Sequence, residues 1–130
     1  MGDKSAYIVR GAKMKCSCGT HKRKINLPVS HGSYVNGKPM MNECDNKVDD
    51  NISYMGICNG GCQGSESVVL VGEHGETFTG KKCRPMILKE WMYTKENTLV
   101  EGKPALTTKS QLICNYGGII TFETDGQHEE

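Results

Sequence analysis

Three of the seven cysteines in this chain open the same short string. Cys16-Ser-Cys-Gly19, Cys58-Asn-Gly-Gly61 and Cys114-Asn-Tyr-Gly117 all read Cys-x-x-Gly. Glycine tolerates a sharp turn, so each string can aim a sulfur away from the run of the backbone. Three such turns spread over one small domain predict cysteines that converge, either on a metal or into disulfides.

The compartment decides between these outcomes. The stretch Met1-Gly-Asp-Lys-Ser-Ala-Tyr7 is polar and charged, with no apolar core of a signal peptide. Ala6 stands where a myristoylation pattern requires Ser or Thr. The longest apolar run, Val68 to Val71, is far too short to span a bilayer. The expectation is a chain folded in a reducing cytosol, where clustered cysteines favour metal ligation. An odd count also forbids complete pairing within one chain. Asn51-Ile-Ser53 then reads as a chance match to a glycosylation sequon.

With 130 residues, the chain is long enough for one domain of ordinary size. It is lean in apolar residues, with two Phe and one Trp, and rich in glycine, with 16. A modest core with many turns is a setting in which a metal cross-link adds stability. The net charge of +1 excludes a general electrostatic pull toward nucleic acid or membrane. The basic run His21-Lys-Arg-Lys24 reads as a solvated loop.

The pattern predicts an all-β domain over residues 1–124 and a polar, disordered tail over 125–130. Ala12 to Cys16 alternates apolar and charged residues, the period of a half-buried strand. Ser67–Val71 and Glu76–Thr79 flank a turn at Gly72–Gly75, and Gln111–Cys114 and Ile119–Glu123 flank Asn115–Gly118. Both read as hairpins. Pro85 to Asn97 is compatible with strand or short helix, and strand is favoured.

A second repeat runs through the chain. Val35-Asn-Gly-Lys-Pro39 returns as Val100-Glu-Gly-Lys-Pro104, with weaker echoes at Val9-Arg-Gly11 and Gly80-Lys-Lys82. Val-x-Gly-x-Pro suits a tight turn between strands: Gly supplies a positive φ and Pro fixes the exit. Together with the cysteine strings, it predicts a small β fold with approximate internal symmetry.

Four segments, in order, resemble one family. Val9-Arg-Gly-Ala-Lys-Met-Lys-Cys-Ser-Cys-Gly19 is similar to the opening of the cysteine-rich branch of PAAR-like proteins. Asn51-Ile-Ser-Tyr-Met-Gly-Ile-Cys58 resembles that branch's Asn-Ile…Phe-Gly-x-Cys segment, with Met55 in place of Phe. Cys83-Arg-Pro85 resembles its Cys-x-Pro, and Gly102 to Cys114, followed by Gly117-Gly118-Ile119, its closing segment. The resemblance covers residues 7 to 122.

This resemblance implies a small cone of pseudo-three-fold β-repeats with little or no helix. It implies a structural spike tip, not an enzyme, in a contractile injection machine such as a type VI secretion system or a phage-like tail. The expected partner is a trimeric β-helical spike of the VgrG type, capped by one copy per trimer, with toxin cargo recruited in some members. Assembly in the cytoplasm is then followed by export or injection at the particle's tip. Neither nucleic acid nor stable membrane insertion belongs to this picture. The resemblance further implies a structural metal, zinc or alternatively iron, near the apex. Its expected ligands are Cys16, Cys58, Cys83 and Cys114, since four thiolates close a tetrahedral site to water. Cys18, Cys44 and Cys62 are extras, and His21, His31 and His74 are the substitutes to consider.

Two other classes compete. A zinc-ribbon-like binding module would need paired, closely spaced cysteine knuckles with basic and aromatic flanks, and the strings here are far apart. A thiol hydrolase would pair Cys83 or Cys114 with His74, with nothing in the sequence to orient the pair.

Overall fold

The computed structural model describes residues 6–17, 19–52, 55–57, 63–72, 74–83, 87–114 and 118–127, with only the backbone described at 63–66 and 81–83. The described chain is all-β and contains no helix. Its strands are β1 Lys13–Cys16, β2 Arg23–Lys24, β3 Tyr34–Val35, β4 Lys38–Pro39, β5 Gln63–Val71, β6 Thr77–Cys83, β7 Lys95–Val100, β8 Lys103–Ala105, β9 Gln111–Cys114 and β10 Gly118–Phe122. One four-stranded antiparallel sheet has the order β2-β1-β10-β9. The pairs β3-β4, β5-β6 and β7-β8 form separate two-stranded ribbons.

The Val-x-Gly-Lys-Pro repeats are the turns of β3-β4 and β7-β8. Asn36 and Gly37 have φ of 52° and 75°, and Glu101 and Gly102 have 51° and 81°. Two successive positive φ values in a two-residue loop are the type I′ geometry, whose twist matches that of the flanking strands. Val35 faces Lys38 and Val100 faces Lys103 in register.

Immediately after each repeat, the chain enters a ring. Ile8 N–H donates to Leu106 O at 3.0 Å, Leu106 N–H to Met41 O at 3.0 Å, and Met41 N–H to Ile8 O at 3.3 Å. A second ring runs the opposite way, two residues out on either side. Arg10 N–H donates to Pro39 O, Glu43 N–H to Pro104 O, and Thr108 N–H to Ala6 O, at 3.0, 2.9 and 2.9 Å. Each segment then closes a turn at the same offset, with Ala12 donating to Val9 O, Asp45 to Asn42 O and Ser110 to Thr107 O. Three segments, around residues 8, 41 and 106, are thus equivalent by their backbone bonds. The rings satisfy peptide groups that would otherwise be orphaned in the middle of the domain.

The rings divide the core. Ile8, Met41 and Leu106 are fully buried and face the larger cluster, with Met14, Ile25, Ile52, Met55, Trp91, Leu112, Ile120 and Phe122. Met40, Ala105 and Tyr7, each one residue earlier, face a smaller cluster with Val9, Val35 and Val100. Alternation along an extended chain sends neighbours to opposite sides. In the larger cluster, the Trp91 and Phe122 rings stack with centroids 4.7 Å apart, and Trp91 Nε1–H donates to Asp45 O at 3.0 Å.

Two sequence echoes fail in register. Val9 corresponds to Asn42 and Thr107, not to the valines of the hairpins, and Gly80 lies inside β6 instead of at a turn. Their likeness to the repeat is compositional. Between Pro85 and Asn97, the described residues contain no helix, and β7 begins at Lys95. Bonds to the domain also extend beyond residue 124. Val9 N–H donates to Asp125 O, Lys38 Nζ to Gly126 O and Gln127 Nε2 to Tyr7 O.

Candidate functional site

β1 and β9 are the same strand of two repeats. Each shows the burial pattern of an inward second and fourth residue: Met14 and Cys16 in β1, Leu112 and Cys114 in β9. Each cysteine follows its ring residue by the same interval, 8 to 16 and 106 to 114. In the middle segment, that interval, 41 to 49, ends at the exposed Asp49. The third Cys-x-x-Gly string begins at Cys58, nine residues later (58 − 49), so an insertion separates it from its expected place.

Cys16 and Cys114 lie on the inner face at the turn ends of their hairpins, with β10 between them. Cys16 is opposite Ile120, and Cys114 is opposite Gly118. Two strand spacings and a two-residue offset place their Cα atoms on the order of 12 Å apart, beyond disulfide reach. Gly118 carries no side chain, so nothing projects from β10 beside Cys114. Both thiols are shielded from solvent, Cys16 at 9% and Cys114 at 2% exposure.

The Cys16 turn is closed by Gly19 N–H donating to Cys16 O at 3.1 Å. A Cβ at Gly19 would stand 2.6 Å from Met55 O, so only glycine lets the 55–57 segment pack this closely. That segment is bonded down: Thr20 N–H donates to Ile57 O, His21 N–H to Met55 O, and Ile57 N–H to Thr20 Oγ1. Ile57, the residue before Cys58, also touches Gly80 of β6, where a Cβ would come within 2.9 Å of Ile57 Cγ2. β6 ends at Cys83, whose backbone pairs with Gln63. The described backbone is therefore anchored beside the Cys16 turn up to Ile57, and β6, which touches Ile57 at Gly80, ends at Cys83. Cys18, Cys58 and Cys62 lie outside the described residues, and the Cys83 side chain is not described. Among the described residues, no three His, Cys, Asp or Glu side chains gather as a metal site. Cys44 is half-buried and lies in the Asn42–Asp45 turn, outside the β2-β1-β10-β9 sheet.

The histidines considered as substitutes are engaged elsewhere. Val71 O can only accept, so the bond between it and His21 places a hydrogen on Nε2, and in the neutral ring Nδ1 then accepts from the Thr20 hydroxyl at 2.8 Å. His21 Nε2–H then donates to Val71 O at 3.1 Å, and its ring meets Phe78 edge-on at 5.4 Å. His31 bonds carboxylates through both ring nitrogens, Asp45 at 3.0 Å and Glu101 at 2.6 Å. His74 is on the exposed β5-β6 turn, away from the buried face that holds Cys114.

The opposite side of the rings has a different character. Tyr34 and Leu99 occupy the same position of the two hairpins, each directly before the Val of the repeat and opposite its Pro. They are 56% and 59% exposed, large apolar groups presented at matching points about the ring. Reasoning from sequence singled out Val, Gly and Pro of each repeat and passed over these two. Their places immediately before the repeat were the available signal.

No curated protein and no solved structure matches the chain. The family model described as a domain of unknown function, DUF4280, matches residues 8–127, and the chain belongs to that family.

Proposed function

We propose that this chain is a structural spike-tip protein, one copy of which caps a trimeric β-helical spike of the VgrG type in a contractile injection machine. The observation that carries the reading is the double ring of backbone bonds through Ile8, Met41 and Leu106. A single chain with three equivalent segments about one axis offers a trimer similar contacts on each of its three sides. Such a cap also covers strand ends that would otherwise invite further pairing. Tyr34 and Leu99, at equivalent exposed points, are the apolar groups suited to this contact. Toxin cargo and export at the tip follow from the same resemblance.

Cys16, Cys58, Cys83 and Cys114 would hold a structural zinc, or iron. Buried thiols on one sheet face, a side-chain-free Gly118 and anchored approaches to Cys58 and Cys83 fit a thiolate donor set. The metal would tie the ends of β1 and β9 to the segments that carry Cys58 and Cys83, and its binding energy would add to folding. Co-expression with the spike protein of the same machine tests the proposal. A stable complex that Tyr34→Asp with Leu99→Asp abolishes supports it. Failure of the unmodified, folded protein to associate contradicts it.

A further inference from the structure

His31 is held by carboxylates from two different parts of the chain. Its Nε2–H donates to Asp45, at 3.0 Å from both Oδ1 and Oδ2, and its Nδ1–H donates to Glu101 Oε1 at 2.6 Å. Asp45 belongs to the Asn42–Asp45 turn and Glu101 to the tip of the β7-β8 hairpin. A neutral imidazole has one N–H, so the two bonds coexist only when the ring is protonated.

The repeats show that both acids are departures from the pattern. Ser110 is the equivalent of Asp45: its Oγ accepts from Thr107 N–H, as Asp45 Oδ2 accepts from Asn42 N–H. Asn36 is the equivalent of Glu101 at the first turn position. In each case a neutral residue in one repeat is a carboxylate in the other, and both carboxylates reach the same histidine. Glu101 also holds a φ of 51°, a conformation that suits Asn and costs Glu.

We infer that His31 is a proton-dependent latch that fastens the β7-β8 hairpin tip to the Asn42–Asp45 turn. Protonated, the ring bonds both. On losing a proton it keeps its N–H on Asp45, which is 5% exposed and has little water to replace the bond. Its other nitrogen then presents a lone pair to Glu101, whose side chain is 64% exposed and free to hydrate. The Glu101 contact at the tip is released, while the bonds from Asn42 Nδ2–H to Val100 O and from Glu43 N–H to Pro104 O keep the base of the hairpin on the turn. Burial of the ring disfavours its charge, but the bonds and charges of Asp45 and Glu101 outweigh this and hold its pKa above 6.5. Among the described residues, these two are the charged groups that act on the ring; its own loop contributes the neutral Ser30 and Gly32. The inference does not depend on the spike-tip reading.

The test is an NMR titration of the intact protein between about pH 5.5 and about pH 9, bracketing the range of a raised histidine. It follows the His31 ring shifts, together with hydrogen-exchange protection of the Val100 and Lys103 amides, corrected for intrinsic exchange. The expected result is a His31 midpoint above 6.5 and a several-fold loss of hairpin protection at that same midpoint. Glu101→Gln, which keeps the fold, should lower the His31 midpoint and remove most of the pH dependence at the hairpin. A midpoint at or below 6.5, or hairpin protection that is flat across the His31 titration, overturns the latch. So does a Glu101→Gln protein that titrates like the unmodified one.

Discussion

Asn36 and Glu101 occupy the same left-handed position of two matching hairpins, with φ of 52° and 51°. The Cβ crowds the following carbonyl oxygen in this conformation at a cost of about 1–2 kcal/mol, which the short amide of Asn offsets by local hydrogen bonding and the longer Glu does not. What offsets that cost at Glu101 is the bond to protonated His31. Glu101→Asn should therefore change sign with pH. Above the His31 pKa the variant should melt as high as the unmodified protein or higher. At about pH 5.5, where an unperturbed histidine is already protonated, it should melt lower. Thermal melts at the two pH values check this.

The same pair sets a pH dependence of global stability. The folded pKa of His31 is raised above its ordinary 6.5. Its contribution is therefore complete below the unfolded value and is lost as pH rises through the folded one. Urea midpoints should fall over that window, and His31→Gln should flatten the fall. A midpoint that rises with pH through the window would contradict the assignment.

Trp91 is the chain's single tryptophan, 3% exposed and stacked on Phe122. In so lean a core, Trp91→Ala should cost about 3–5 kcal/mol, enough to unfold much of the population. Trp91→Phe keeps the stack but leaves Asp45 O without its donor, and should cost less. Circular-dichroism denaturation distinguishes the two.

Gly37 and Gly126 separate two roles of glycine. Both have positive φ, 75° and 81°, but a Cβ on Gly37 meets open space, whereas one on Gly126 would lie 2.7 Å from Ala12 N. Gly37→Ala should cost about 1 kcal/mol for its conformation alone. Gly126→Ala adds a clash with backbone and should cost clearly more, showing as a lower urea midpoint. Equal effects would mean that the 125–127 segment is not docked as described.

Much of this fold is legible in the residues because the signals are local. β1, β9 and β10 follow period-two alternation, and the two Val-x-Gly-Lys-Pro strings specify their hairpins through the φ of Gly37 and Gly102. The rings are not legible, because Ile8, Met41 and Leu106 are joined by backbone groups that every residue carries. The first segment is also disguised: the residues preceding Ile8 lack the hairpin string, so the echo at Val9 draws the eye to the wrong register. The site is legible in part. Matching strings at Cys16 and Cys114 mark equivalent positions, while the insertion before Cys58 hides the third. The pairing of His31 with Asp45 and Glu101 is not legible, since the two carboxylates are remote from it in sequence.

Metal content should follow the thiols. Cys16→Ser or Cys114→Ser should lower bound zinc or iron and the melting temperature together, because a structural metal is linked to folding. Cys44→Ser should matter much less for both. Elemental analysis of protein purified without chelators is the check, and a metal-free, fully folded sample would remove the thiolate site.

In the proposed assembly, three equivalent segments of one chain meet three identical chains of a spike. Native mass spectrometry of the co-purified complex measures this directly. The expected mass is that of one copy of this chain with three of the spike protein. A complex with three copies per trimer, or a spike and tip that remain separate while both are folded, would contradict it.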